Sequence, residues 1–79
     1  MILAHAIGKR TQELLFKKNM TQYKLVKITC LNPKTVSDLI KCKTSNVNIT
    51  TVYLIANALG MTISEFTNSP LFSEENIDL

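Results

Sequence analysis

The apolar residues of this 79-residue chain recur at the spacing of amphipathic helices. The clearest series starts at Val52, with further apolar residues three, four and seven positions later, and a shorter one starts at Val36, with leucine and isoleucine three and four positions later. Residues at these intervals share one face of an α-helix. Between Ala4 and Asn19 apolar positions return near the same period, with basic and polar residues on the other side. The pattern predicts helices that each turn one face towards a common core.

Capping residues indicate where the predicted helices begin and end. Thr21 is placed as an N-cap, and Asn32-Pro33 is a strong helix start because Asn caps the first turn and Pro lacks an N–H that this turn would leave unpaired. Gly60 suits a left-handed helix end, and Thr62 opens a further short helix. Together these residues predict five helices, over about residues 4–19, 22–29, 33–41, 49–59 and 62–66.

Length and composition agree with a single all-α domain. Seventy-nine residues suffice for one domain, and an apolar fraction of 46% is ordinary for a globular chain. Only two Gly and two Pro are present, which argues against an extended or turn-rich architecture. Because Ser69-Pro70 breaks the fifth helix, we divide the chain into a domain over residues 1–68 and a short C-terminal tail over residues 69–79.

Charge is distributed unevenly along the chain. All nine basic residues lie in the first 43 positions, where only Glu13 and Asp38 oppose them, so this part carries a net charge of +7. The remaining residues contain four acids and no base, which gives −4. Such asymmetry favours a polyanionic partner for the first part, although a solvated basic face would have the same composition.

The sequence offers no set of residues for catalysis, cofactor binding or metal binding. His5 is the only histidine, and Cys30 and Cys42 lie twelve positions apart, without the CxxC or His-rich neighbourhood of a zinc site. No glycine-rich phosphate loop occurs, and no apolar run approaches the roughly 18 residues that cross a bilayer. We therefore expect a cytoplasmic protein with free thiols that is not an enzyme and binds neither a membrane nor a small-molecule ligand.

Two of the predicted helices have the lengths and the short connection of a helix-turn-helix. The helices over 22–29 and 33–41 are joined by Cys30-Leu31-Asn32, and in such a pair the second helix enters the major groove of DNA. Four segments stand out by their order and spacing: Gly-Lys-Arg at 8–10, Met-Thr-Gln at 20–22, Leu-Asn-Pro-Lys-Thr-Val-Ser at 31–37, and Leu-Ile-Ala-Asn-Ala-Leu-Gly-Met-Thr-Ile-Ser-Glu-Phe at 54–66. In these the chain resembles the Cro and lambda-repressor-like (XRE) DNA-binding domains, in particular the small stand-alone bacterial or phage type.

The resemblance spans about residues 6–68 and implies a five-helix lambda-repressor-like fold with double-stranded DNA as partner. Gln22, at the start of the second helix, would bind a phosphate and fix the register. On the third helix Lys34 suits the acceptors of guanine, and Asp38 the amino group of cytosine. The implied base contacts are Asn32, Pro33, Lys34, Ser37 and Asp38. The implied phosphate contacts are Gln22, Thr35, Lys41, Lys43, Thr44 and Asn46.

Some of these side chains have alternative roles. Asp38 is equally suited to pair with Lys34 or Lys41 on its own helix. We expect Tyr23 to cover the core rather than to stack on a sugar. Cys30 stands where the resembled family often has glycine, and at positive φ it would carry about 1 kcal/mol of strain.

These observations predict a transcription regulator, a repressor by preference, that binds double-stranded DNA sequence-specifically and reads the major groove with its third helix. The alternative is an antitoxin or another protein-interaction module with the same fold, which the acidic, apolar end over 74–79 would suit. A nonspecific chromosomal protein is a third possibility. One short helix contacts too few base pairs to specify a genomic site, so we expect a homodimer. Its candidate interface residues are Ile63, Phe66, Leu71 and Phe72, unless the last two fold back over the first helix to enlarge the core.

Overall fold

The helices lie where the apolar pattern and the capping residues predict them. A computed structural model describes residues 1–78, and within this range it contains five α-helices, one short 3₁₀ helix and no β-strand. The all-α, five-helix prediction is therefore confirmed. In chain order the elements are α1 (Leu3–Lys17), α2 (Gln22–Thr29), α3 (Pro33–Ile40), α4 (Ile49–Ala58), α5 (Ile63–Thr67) and the 3₁₀ helix (Pro70–Phe72).

Polar side chains cap the starts of α2, α3, α4 and α5. In each case an oxygen of the residue before the helix accepts a hydrogen bond from a backbone N–H of the first turn, a donor that the helix itself leaves unpaired. At α5 the cap is reciprocal, because the Glu65 carboxylate accepts a hydrogen bond from the N–H of Thr62 at 3.0 Å. The capping residues are Thr21, Asn32, Asn48 and Thr62.

Every α-helix contributes a buried residue to one core. Leu14, Leu25, Leu39, Ile55 and Phe66, one from each helix in chain order, are all at most 4% exposed. The core therefore depends on all five helices, and none of them is peripheral.

Three contacts hold α1 against its neighbours. At Gly8 the helix lies so close to the end of α3 that a Cβ atom would overlap the carbonyl oxygen of Leu39. Arg10 joins α1 to α5, because its Nε donates a hydrogen bond of 2.7 Å to the carbonyl oxygen of Phe66. A third contact runs from the Gln12 side-chain amide to the carbonyl oxygen of Ile40. The orientation of α3 is thus fixed partly by residues of α1.

The residues that follow α5 fold back onto the domain. The 3₁₀ helix packs on α1, and the ring of Phe72 lies 6.3 Å from that of Phe66. Further on, the N–H of Asp78 donates a hydrogen bond of 2.8 Å to the carbonyl oxygen of Met1. Phe72 packs against the core, and Leu71 lies beside residues of α1.

None of the helices among residues 1–78 combines the length and the apolar character needed to span a bilayer.

Candidate nucleic-acid interface

The connection between α2 and α3 is a tight turn held by a buried threonine. The Thr29 hydroxyl donates to the carbonyl oxygen of Leu25 at 2.8 Å and accepts from the N–H of Leu31 at 3.3 Å. Cys30, between them, has φ 57° and ψ 22°, the left-handed conformation expected at this position. These two hydrogen bonds hold the turn that sets the angle between α2 and α3.

Helix α3 has one face in the core and the other in solvent. Val36 and Leu39 are each 1% exposed, which anchors the helix. On the other side lie the five residues predicted to contact bases, three of them exposed and two half-buried. Two turns of helix thus bring together, on one outward surface, the side chains of Asn32, Pro33, Lys34, Ser37 and Asp38. We call this set the α3 outer face.

An ion pair lies on the α3 outer face. The Lys34 Nζ donates a hydrogen bond of 2.9 Å to the Asp38 Oδ2, and the two side chains are 82% and 32% exposed. This hydrogen bond, together with the positive charges of Lys34, Lys43 and Lys41, lowers the pKa of Asp38 below its ordinary value of 3.8, against the opposing effect of desolvation. Asp38 is therefore an ionised carboxylate at neutral pH, paired in the free protein.

A small groove separates α3 from the start of α4. Its volume is about 120 Å³, and three predicted phosphate contacts, Thr35, Thr44 and Asn46, lie on its wall. Asn48 and Thr51 complete the polar lining, and neither was a predicted contact. The groove therefore offers several short polar side chains beside the α3 outer face.

The remaining predicted phosphate contacts lie outside the groove. Gln22 is the first residue of α2, where it is half-buried and the helix N-terminus favours an anion. Lys41 and Lys43 directly follow α3 and are both exposed. None of these three residues lines the groove.

Two side chains of the basic first 43 residues, Tyr23 and Arg10, differ in position from what the sequence suggests. Tyr23 does not cover the core: it is 71% exposed, and the Lys27 Nζ lies 5.5 Å from the centre of its ring. Arg10 is the opposite case, because its guanidinium donates to backbone carbonyl oxygens of α5 and to the Glu13 carboxylate. Arg10 therefore has a structural role, which its position in a basic segment does not indicate.

Comparison with known protein families gives a match along most of the domain. The family model of the Cro/C1-type HTH DNA-binding domain matches residues 11–68. The chain belongs to this family. The resemblance described from the sequence is thereby confirmed, and the α3 outer face belongs to a DNA-binding domain.

Solved structures share the fold of this Cro/C1-type domain. The restriction-modification controller protein C.AhdI from Aeromonas hydrophila is 24% identical, with a TM-score of 0.71 over 80% of this chain and 94% of that one. The prophage Lp1 protein 11 is 23% identical, with a TM-score of 0.81 over 94% of this chain and 99% of that one. Apo-HppE is 17% identical, with a TM-score of 0.70, and the match covers 96% of this chain and 42% of that one. No curated protein sequence matches the chain.

The candidate dimer residues are not equally available at the surface of the Cro/C1-type domain. Phe66 is 0% exposed, so in this fold it has no surface to offer a partner. Ile63, Leu71 and Phe72 are half-buried. Large apolar side chains are more exposed elsewhere, notably Ile49 (66%) and Tyr53 (54%) on α4 and Phe16 (90%) on α1. These three residues were not predicted to be exposed, because their spacing in the sequence does not separate surface positions from core positions.

Proposed function

We propose that this Cro/C1-type domain is a sequence-specific transcription regulator that inserts α3 into the major groove of an operator. The α3 outer face carries this proposal: the opposite side of the helix is anchored in the core by Val36 and Leu39, while the outer side presents donors and acceptors to solvent. An α-helix fits the major groove, where each base pair has its own pattern of donors and acceptors. A domain seated there excludes other proteins from the same DNA, which favours repression.

The proposed contacts divide into two classes. Residues of the α3 outer face would meet base edges, with Lys34 on the guanine acceptors O6 and N7. The predicted phosphate contacts, including the polar groove between α3 and α4, would hold the backbone on either side and fix the register. Both classes use side chains that are exposed or half-buried in the free protein.

We also propose that the domain acts on DNA as a homodimer. The segment over 44–64 contains no charged residue, and within it Ile49 and Tyr53 lie four positions apart on α4 with much of their surface exposed. A two-fold interface places the same surface on both sides, so a charge-free apolar surface avoids the repulsion that the basic part would produce. This favours α4 over the tail as the centre of the interface.

The direct test is selection of bound duplexes from a randomised pool at moderate salt, followed by sequencing. We expect an enriched motif with two related half-sites, because a dimer presents two recognition helices. Retention without enrichment would instead indicate a nonspecific DNA-binding protein.

Substitutions separate the two classes of contact. Lys34→Ala and Ser37→Ala are expected to change which sequences are preferred, because their side chains face the bases. Gln22→Ala and Lys43→Ala are expected to weaken binding to all sequences alike, because phosphates are the same everywhere. Equal effects of both pairs on sequence preference would contradict these assignments.

The second candidate function is binding of a protein partner, as in an antitoxin. A shallow groove of about 520 Å³ on α1, lined by Phe16, Lys9, Gln12, Glu13 and Leu71, favours it, because an aromatic side chain that is 90% exposed is a common anchor at interfaces. Absence of any retention of DNA in the selection experiment would support this candidate over the first.

A further inference from the structure

Asp38 is an acid on the surface proposed to approach DNA. The first 43 residues hold only two acids, and the other one, Glu13, pairs with Arg10 on α1 at 3.3 Å. Asp38 instead lies on α3, near Lys34, Lys41 and Lys43. A carboxylate here opposes the approach of a polyanion, whereas an uncharged side chain of the same size would not.

The effect of a carboxylate in the major groove depends on the base it meets. An ionised carboxylate only accepts hydrogen bonds. Guanine N7 and O6, adenine N7 and thymine O4 also only accept, whereas cytosine N4 and adenine N6 donate. Asp38 would therefore be tolerated opposite a donor and repelled by the other edges and by every phosphate.

Through its ion pair, Asp38 also affects which groups of DNA Lys34 would bind. Lys34 is 82% exposed, and without a partner its flexible stem would reach the nearest phosphate on any DNA. The hydrogen bond of 2.9 Å from its Nζ to Asp38 keeps the ammonium group on the α3 outer face. Such an exposed pair contributes little to folding stability. Its main effect is on the position of the Lys34 ammonium group.

We propose that Asp38 is a specificity-determining residue that keeps Lys34 directed at base edges and lowers the affinity of the domain for non-operator DNA. Asp38 thus contributes to discrimination mainly by weakening the wrong complexes. This inference rests on the proposed function and adds to it the role of the one acid on the recognition helix.

Three proteins test the proposal: the wild type, Asp38→Asn and Glu13→Gln. Both substitutions replace an acid by its amide and change the net charge equally, but Glu13 lies on α1, outside the proposed contacts. Binding to the selected operator and to a random duplex of equal length is measured by fluorescence anisotropy over a range of salt concentrations. Thermal melts of the three proteins check that each remains folded.

For Asp38→Asn we expect tighter binding to the random duplex, by about tenfold, and a fall of about tenfold in the ratio of operator to random affinity. The slope of log K against log salt on the random duplex should steepen by about 0.9, because the released Lys34 neutralises one further phosphate. Glu13→Gln should leave both the ratio and the slope unchanged.

An unchanged ratio and slope in Asp38→Asn, or the same changes in Glu13→Gln, would overturn the proposal and leave Asp38 as an ordinary partner of Lys34. The wild type separates this result from failure of the proposed function. If the wild type itself prefers no sequence, sequence-specific regulation is contradicted before the variants are compared.

Discussion

Gly8 is a residue whose importance comes from a single contact. The backbone of α1 passes so close to α3 at this point that a methyl group would meet the Leu39 carbonyl oxygen, a main-chain atom that cannot rotate away. The two helices would have to separate, and the end of α3 would move with them. The smallest side chain is thus required where α3 is anchored against α1.

Gly8→Ala is therefore expected to destabilise the domain despite the better helix propensity of alanine. That propensity favours the variant by about 1 kcal/mol, whereas forced repacking of a close contact costs about 3 kcal/mol, so the free energy of unfolding should fall by about 2 kcal/mol. Thermal denaturation followed by circular dichroism should show a Tm roughly 10 °C lower. Lys9→Ala, next to it on the exposed side of α1, is the control and should change the Tm little. A raised Tm in Gly8→Ala would mean that α1 and α3 separate at little cost.

At the level of single elements, the helix-turn-helix illustrates how much local sequence can predict. Thr21, Asn32 and Thr62 cap the helices as predicted, because a cap depends on a few neighbouring residues only. The 3₁₀ helix was not predicted, since three residues are too few to show a period. The contacts of Gly8 and Arg10 were also missed, because they join residues far apart in the chain and no local pattern indicates them.

The turn between α2 and α3 carries strain that one substitution should remove. Cys30 has φ 57°, which costs a residue with a side chain about 1 kcal/mol but glycine almost nothing. We expect Cys30→Gly to raise the free energy of unfolding by about 1 kcal/mol, measured by urea denaturation. Cys30→Ala keeps the left-handed strain and removes only the thiol, so it should show no such gain. Equal stabilisation by glycine and alanine would place the cost in the thiol and not in the backbone.

At the scale of the whole molecule, charge is distributed unevenly along the chain. The first 43 residues carry a net charge of +7, and the segment over 44–64 carries no charged residue at all. The net charge of the first 43 residues can be read directly from the sequence. The composition does not tell which apolar side chains of the segment over 44–64 lie outside the core. Tyr53 and Val52 are neighbours in sequence, but the structure shows them to be 54% and 4% exposed.

The proposed dimer rests on the charge-free segment over 44–64 and has a direct test. Tyr53→Asp would place two like charges in a two-fold interface centred on α4, and sedimentation velocity should show a shift from dimer to monomer. Phe16→Asp alters an equally accessible aromatic residue on α1 and should leave the dimer intact. If Phe16→Asp dissociates the dimer and Tyr53→Asp does not, the interface lies instead on the side of α1 and Leu71, as the tail residues first suggested.

In the proposed complex of a dimer with its operator, the eight residues of α3 limit how much information the domain extracts from DNA. They span about 12 Å, which corresponds to about four base pairs, or about eight bits. Two such helices give about sixteen bits, enough to single out about one position in 65,000, whereas a genome offers about a million competing sites or more. The missing bits have to come from base pairs that α3 never touches, through the spacing of the half-sites and the ease with which the DNA between them bends.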